Sequence, residues 1–135
     1  LYEDWKVDED RKGAMSRNHI MFGEISAWFY KALGGIKPDP NQPGFKNIII
    51  EPHFVEGLDK FNAEHIGPHG TIHSSWIKNN DRVKYDLIIP ANSSASLIFK
   101  GKKLIDQDGI EFSKINKNTF KAQVGSGHYS LIIEL

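Results

Sequence analysis

Gly34-Gly35 followed by Pro38 and Pro40 divides the chain into two regimes. Paired glycines end a helix, and prolines a few residues on prevent it from resuming. Beyond this break the apolar residues alternate with polar ones. "KFNAEHIG" and "GTIHSSWIK" alternate, and "DRVKYDLIIP" places Val83, Tyr85, Leu87 and Ile89 on one face. "FKNIIIEP" carries a continuous Ile48-Ile49-Ile50 run, and "ASLIFKG", "KKLID", "TFKAQVG" and "HYSLIIEL" follow. Turn signals separate them: Gly57, "GPHG" at 67–70, "NND" at 79–81, "ANSS" at 91–94, Gly101, Asp108-Gly109 and "GSG" at 125–127. About seven or eight short strands at roughly 8–12-residue spacing predict an antiparallel sandwich or barrel. The helical segment precedes the strands and does not alternate with them, which argues against a parallel βαβ fold.

Before the break, "SRNHIMFGEISAWFYKALGGI" has helical signals. Ser16 and Asn18 are good N-caps, and the pattern predicts a helix of about 16–18 residues to Leu33, roughly 25 Å long. Phe22, Ile25, Phe29 and Leu33 make one stripe; Met21, Trp28 and Ala32 widen it past half the circumference. Only Glu24 and Lys31 are charged within it. Such a helix is expected to be buried on most sides, and one small sheet covers only one side. Residues 1–15, "LYEDWKVDEDRKGAM", read as a polar surface loop.

The 135 residues are the size of one domain, with 39% hydrophobic and 25% charged residues, an ordinary globular balance. Formal net charge is zero, with no Lys/Arg run, so no basic field suits a nucleic-acid backbone. Cysteine is absent, which excludes disulfides, thiol catalysis and cysteine metal sites. No apolar run approaches the ~20 residues of a spanning helix, so no membrane partner is expected. The first residue is Leu, so the chain is expected to be a piece of something longer. Its compartment, periplasmic or cytoplasmic, stays open.

Six motifs occur in one order: "LYEDW", "SRNHIMFGEISAWFYKALGGI", "IIIEP", "GTIHSSW", "LIIPANSSASL" and "VGSGHYSL". Their order and spacing resemble the C-terminal end of bacterial α-L-rhamnosidases, family 78 of the glycoside hydrolases. The resemblance covers nearly the whole chain. It implies a mainly β fold, a jelly-roll-like antiparallel β-sandwich, preceded by one long apolar helix that closes a catalytic (α/α)6 barrel. On this reading residues 1–36 are the last loop and helix of the barrel, 37–44 a linker, and 45–135 the C-terminal β-sandwich.

The resemblance also assigns chemistry. Glu3 matches the family's E-x-W position, whose glutamate is the general base of an inverting hydrolysis. In that chemistry an acid protonates the leaving oxygen while a base activates water on the opposite sugar face, the two roughly 6.5–9.5 Å apart. Without the resemblance Glu3 is one surface carboxylate among Asp4, Asp8, Glu9 and Asp10. Trp5 lies on the same side of an extended loop and suits the floor of a sugar subsite; the bland reading is a core Trp anchoring the loop. His19 matches a family histidine that hydrogen-bonds sugar hydroxyls; the bland reading is a capping or core histidine. The family's general acid lies far upstream, so the isolated chain is expected to be inactive. No cofactor is implied. The implied partners are a rhamnose-containing glycoside or polysaccharide, the upstream barrel, and a second copy of the chain through an exposed helix.

Other features read as structure. His65, His69 and His73 have H-x3-H-x3-H spacing, but glycines and Pro68 forbid a helix there. In a hairpin turning at 67–70, Glu64 faces His73 and His65 faces Ile72, so no metal site is expected. Glu24 reads as an interface or solvent residue. "DQDG" at 106–109 lacks EF-hand spacing and reads as a turn. Lys100, Lys102 and Lys103, with Asp106 and Asp108 nearby, read as a solvated turn. Trp76 and the other aromatic residues of the β region read as core. The rival to inherited catalysis is a non-catalytic accessory sandwich, structural or carbohydrate-binding.

Overall fold

The structure is a computed structural model and describes residues 23–135. A short helix, α1, spans Glu24–Trp28 and continues as a π-helical turn, Phe29–Leu33. Ten strands follow: β1 Ile36–Pro38, β2 Asn47–Ile50, β3 Lys60–Gly67, β4 Gly70–Asn79 and β5 Arg82–Ile89. The remainder are β6 Ser94–Lys100, β7 Lys103–Asp106, β8 Ser113–Asn116, β9 Thr119–Val124 and β10 Gly127–Glu134. They form two five-stranded sheets, in the orders β1-β2-β6-β9-β8 and β3-β4-β5-β10-β7.

Twofold alternation decides which side chains fill the space between the sheets. From the first sheet come Ile48, Ile50, Ala95, Leu97 and Phe99; from the second come Ile72, Trp76, Val83, Tyr85, Leu87, Leu131 and Ile133. All belong to one hydrophobic cluster. The Tyr85 and Phe99 rings meet edge-on across the two sheets with centroids 4.9 Å apart. Shape-matched packing of this kind is the main stabilising term of a sandwich. The expected β3–β4 hairpin is present in the anticipated register, with Glu64 opposite His73, His65 opposite Ile72, and Gly67 opposite Gly70.

Three expectations are corrected. Among the described residues the strands number ten rather than seven or eight. The additional ones are β1, next to the Pro-rich stretch, and β8, whose four exposed residues show no apolar alternation. The sandwich is not wholly antiparallel, because β2 and β6 pair in parallel, Asn47 with Ser94 through Ile50 with Leu97. The 43 residues between these strands, 51–93, pass through the other sheet. A long crossover permits the parallel direction, and strand periodicity does not encode it. The long apolar helix is not observed: the described helical segment covers ten residues, Glu24–Leu33, and Leu33 is its only buried residue. Ile25, Trp28, Phe29 and Tyr30 are exposed. The segment meets the sandwich through its last turn, so nothing among the described residues covers the rest of its apolar surface.

Polar groups on the outer face of the first sheet form a closed network. The Asn47 amide donates to Asp39 Oδ2 at 2.9 Å and to Ser96 Oγ at 3.2 Å. Its Oδ1 accepts from Ser94 and Gln123, each at 2.9 Å. Beside it, Lys37 bonds Glu51 at 2.9 Å and Lys100 lies 3.6 Å from the same carboxylate.

These contacts make folding pH-dependent. The Asn47 amide and then the Asn41 backbone N–H hold Asp39 below its ordinary value of 3.8. The Lys37 hydrogen bond holds Glu51 below 4.5 against a smaller desolvation effect. A carboxylate more acidic folded than unfolded contributes stability above its unfolded pKa and loses it as pH falls through the folded value. Melting temperature is therefore expected to fall as pH drops below 4.5 and 3.8, the ordinary values of the two groups. Asp39→Asn with Glu51→Gln is expected to flatten that acid limb in a thermal-melt series; an acid limb superimposable on the wild type would overturn the assignment.

Candidate functional site at the junction of helix and sandwich

Glu3, Trp5 and His19 lie outside the described residues. What the structure describes is the junction that joins their segment to the sandwich. Helix C-termini leave carbonyls without intrahelical partners. Here the last turn opens to a bond from the Gly34 N–H to Phe29 O at 3.0 Å. The next carbonyls are taken by buried side chains of the second sheet. The Trp76 indole N–H donates to Leu33 O at 2.9 Å, and the Ser74 hydroxyl donates to Gly34 O at 2.6 Å. Ser74 Oγ lies 2.7 Å from the Tyr85 hydroxyl. Complete burial pushes the Tyr85 phenol far above its ordinary range, so it remains a neutral hydrogen-bonding group.

Backbone contacts lock the same joint. Glu51 N–H donates to Gly35 O and His53 N–H donates to Ala32 O, both at 2.9 Å. Gly35 has φ +70, and a Cβ there would meet the Pro52 nitrogen at 2.3 Å. Only glycine meets both demands. Around Trp76 the Phe54 ring stands edge-on at 5.5 Å and Phe61 lies tilted at 6.3 Å.

Sequence reasoning placed Trp76 in the core but missed its hydrogen-bonding task. The available signal was that a buried indole N–H needs an acceptor. Ser74 was missed altogether. Its signal was a hydroxyl at an inward position between Ile72 and Trp76, where an unpaired polar group is costly.

The histidines of the β3–β4 hairpin separate. His65 packs on Phe45, centroids 4.4 Å apart. His73 Nδ1 lies 3.2 Å from Glu64 Oε1, and its Nε2 lies 3.1 Å from Ser75 Oγ. Tyr129, on the last strand, donates its hydroxyl to Gly125 O at 3.2 Å. In the "DQDG" turn, Asp108 N–H bonds Asp106 Oδ1 at 3.1 Å and Asp108 Oδ2 accepts from Ser130 N–H at 3.0 Å. Glu24 is exposed, as expected of an interface or solvent residue.

Residues 35–108, more than half of the chain and beginning at the Gly35 joint, match the family described as the bacterial alpha-L-rhamnosidase C-terminal domain. The chain belongs to that family. An alpha-L-rhamnosidase of Formosa agariphila is 28% identical over 138 residues, covering 96% of this chain and 14% of that protein. An alpha-L-rhamnosidase of an Alteromonas species is 36% identical over 87 residues, covering 64% of this chain and 9% of that protein. Among solved structures, the alpha-L-rhamnosidase from Dictyoglumus thermophilum superimposes with a TM-score of 0.81 at 28% identity, covering 100% of this chain and 16% of that one. The Streptomyces avermitilis alpha-L-rhamnosidase, solved with L-rhamnose, shares the fold with a TM-score of 0.79 at 19% identity, covering 99% of this chain and 14% of that one. This rhamnosidase C-terminal domain therefore spans a small share of the length of the proteins it matches.

The junction gives the rhamnosidase C-terminal domain a mechanical test. Trp76→Phe keeps most of the apolar volume but leaves the buried Leu33 carbonyl without its donor. It is expected to lower unfolding free energy by about 1–3 kcal/mol. Ser74→Ala, which strands both Gly34 O and the Tyr85 hydroxyl, is expected to cost a similar amount. Urea denaturation checks both, and values within ~0.5 kcal/mol of wild type would show that these bonds do not hold the joint.

Proposed function

We propose that the chain is the C-terminal part of an inverting glycoside hydrolase that releases terminal α-L-rhamnose. The exposed apolar helix carries this reading. Ile25, Trp28, Phe29 and Tyr30 are 62%, 53%, 41% and 42% accessible. They sit on a segment fastened at one end to a well-packed sandwich. An exposed cluster of large apolar side chains marks an interaction surface. The matched rhamnosidases supply the occupant, since most of their length lies outside the region this chain covers. The helix then packs into an upstream (α/α)6 barrel, with residues 1–36, 37–44 and 45–135 as barrel segment, linker and sandwich, except that β1, Ile36–Pro38, already pairs with β2 and buries Ile36 in the sandwich core.

Within the barrel rim, Glu3 acts as general base. It takes a proton from the water that attacks the anomeric carbon opposite the leaving group. His19 hydrogen-bonds sugar hydroxyls, and Trp5 offers an aromatic face to the sugar C–H surface. The general acid comes from the upstream domain, so the isolated chain is inactive. The sandwich acts as a buttress: Trp76, Ser74 and Gly35 fix the C-terminal end of the helix whose N-terminal side leads back to His19.

Two experiments test this. In the full-length protein, Glu3→Gln is expected to lower kcat on an aryl α-L-rhamnoside by roughly 10²–10⁴-fold with little change in KM. Undiminished turnover would remove Glu3 from the base role. Separately, the isolated chain is expected to self-associate on size-exclusion chromatography, and Ile25→Ser with Trp28→Ser to restore a monomer. A monomeric wild-type chain at high concentration would argue against a docking helix and for a free-standing accessory sandwich.

A further inference from the structure

A cleft at one end of the sandwich, next to the loop that follows β2, is not used by the catalytic reading. Its volume is about 540 Å³, within the roughly 300–1,000 Å³ typical of small-molecule sites. Its ionisable lining side chains are Lys100, Lys102 and His53, and no carboxylate side chain lines it. Leu135 also lines it, and in the 135-residue chain its α-carboxylate is a negative group there. Phe54 supplies an apolar wall, and Asn118 and Thr119 supply amide and hydroxyl groups.

The walls are held in place. Phe54 is set edge-on by Trp76 at 5.5 Å and by Tyr85 at 6.3 Å. The loop is pinned by the bond from His53 N–H to Ala32 O at 2.9 Å and from Lys78 Nζ to Val55 O at 2.8 Å. Opposite, Gly101 N–H bonds Asn118 O at 2.9 Å and Lys102 N–H bonds Glu134 O at 2.7 Å. Gly101 is buried so tightly that a Cβ would meet Glu134 O at 2.6 Å.

Side-chain charge at the mouth is in positive excess. Glu51 lies between two cations, bonded to Lys37 at 2.9 Å and 3.6 Å from Lys100. Two positive groups share one negative group, which leaves a net positive charge. Lys102 has no ion-pair partner among the described residues. A pre-formed cleft with an apolar wall, hydroxyl- and amide-bearing side chains and cations at its rim suits a ligand with a C–H face, several hydroxyls and an anionic group.

We propose that this cleft binds a carboxylate-bearing saccharide, a mono- or disaccharide of the uronic-acid type, with its carboxylate toward Lys102 and its ring against Phe54. The anionic requirement follows from the cleft alone; the choice of a saccharide rests on the glycoside-acting reading above. The test is titration of the isotope-labelled chain with D-glucuronate, followed by amide NMR, with D-glucose and acetate as separate probes. Saturable shifts confined to residues 53–55, 100–102 and 118–119 are expected with glucuronate. D-Glucose and acetate are each expected to bind at least about tenfold more weakly. Lys102→Glu is expected to weaken glucuronate about tenfold or more with an unchanged melting temperature, and Asn118→Ala to weaken it less. Absence of saturable shifts up to ~20 mM glucuronate would overturn the site. Equal binding of D-glucose would overturn the role of the cations, and equal binding of acetate would overturn the saccharide. None of these readouts depends on rhamnoside hydrolysis, so failure here is distinguishable from failure of the catalytic reading.

Discussion

The bond from the Trp76 indole to the Leu33 carbonyl joins the two parts of the described structure. The indole is 1% accessible and sits among Phe54, Phe61 and the aliphatic core. Its apolar surface therefore belongs to the sandwich, while its only polar group belongs to the helix. Ser74 and Tyr85 extend the same arrangement to Gly34. A buried donor and a helix-terminal carbonyl each have a large cost if left alone, and each removes the other's cost. The core and the direction in which the helix leaves the sandwich are thus one energetic unit.

On the proposed reading, that coupling gives the sandwich a physical role within a rhamnosidase. Its inner faces are filled and its outer polar groups on the first sheet satisfy one another, as the Asn47 network shows. The unfinished surface is on the helix, where large apolar side chains meet solvent. On that reading, a rigid body presenting an apolar helix at a fixed angle is what positions the neighbouring domain. The pre-formed cleft beside the β2–β3 loop is a separate feature, set on the same rigid frame by the same Trp76–Phe54 contact.

Much of this was legible in the chain. "DRVKYDLIIP" declares its buried face by alternation, and Val83, Tyr85, Leu87 and Ile89 are all buried. The β3–β4 register followed from the turn at 67–70, because a tight hairpin leaves one pairing that keeps Ile72 and Ala63 inside. Less was legible of the junction. Gly34-Gly35 marked a helix end, but not that Pro52 presses so closely that a Cβ at Gly35 cannot fit. The catalytic assignments to Glu3, Trp5 and His19 came from resemblance, since one carboxylate among several acidic neighbours has no local pattern of its own.

The sequence by itself determined eight of the ten described strands, the turns between them, most inward faces and the family, because each is written in residues close along the chain or in motifs kept in order. The tertiary structure alone decided which strands are neighbours. It placed β2 beside β6 in parallel across a long crossover, and recruited the exposed β8 and the short β1 to sheet edges. It also paired Trp76 with a carbonyl 43 positions away and left the apolar helix face open to solvent. These outcomes depend on contacts between distant segments, where packing and hydrogen-bond satisfaction override local preference.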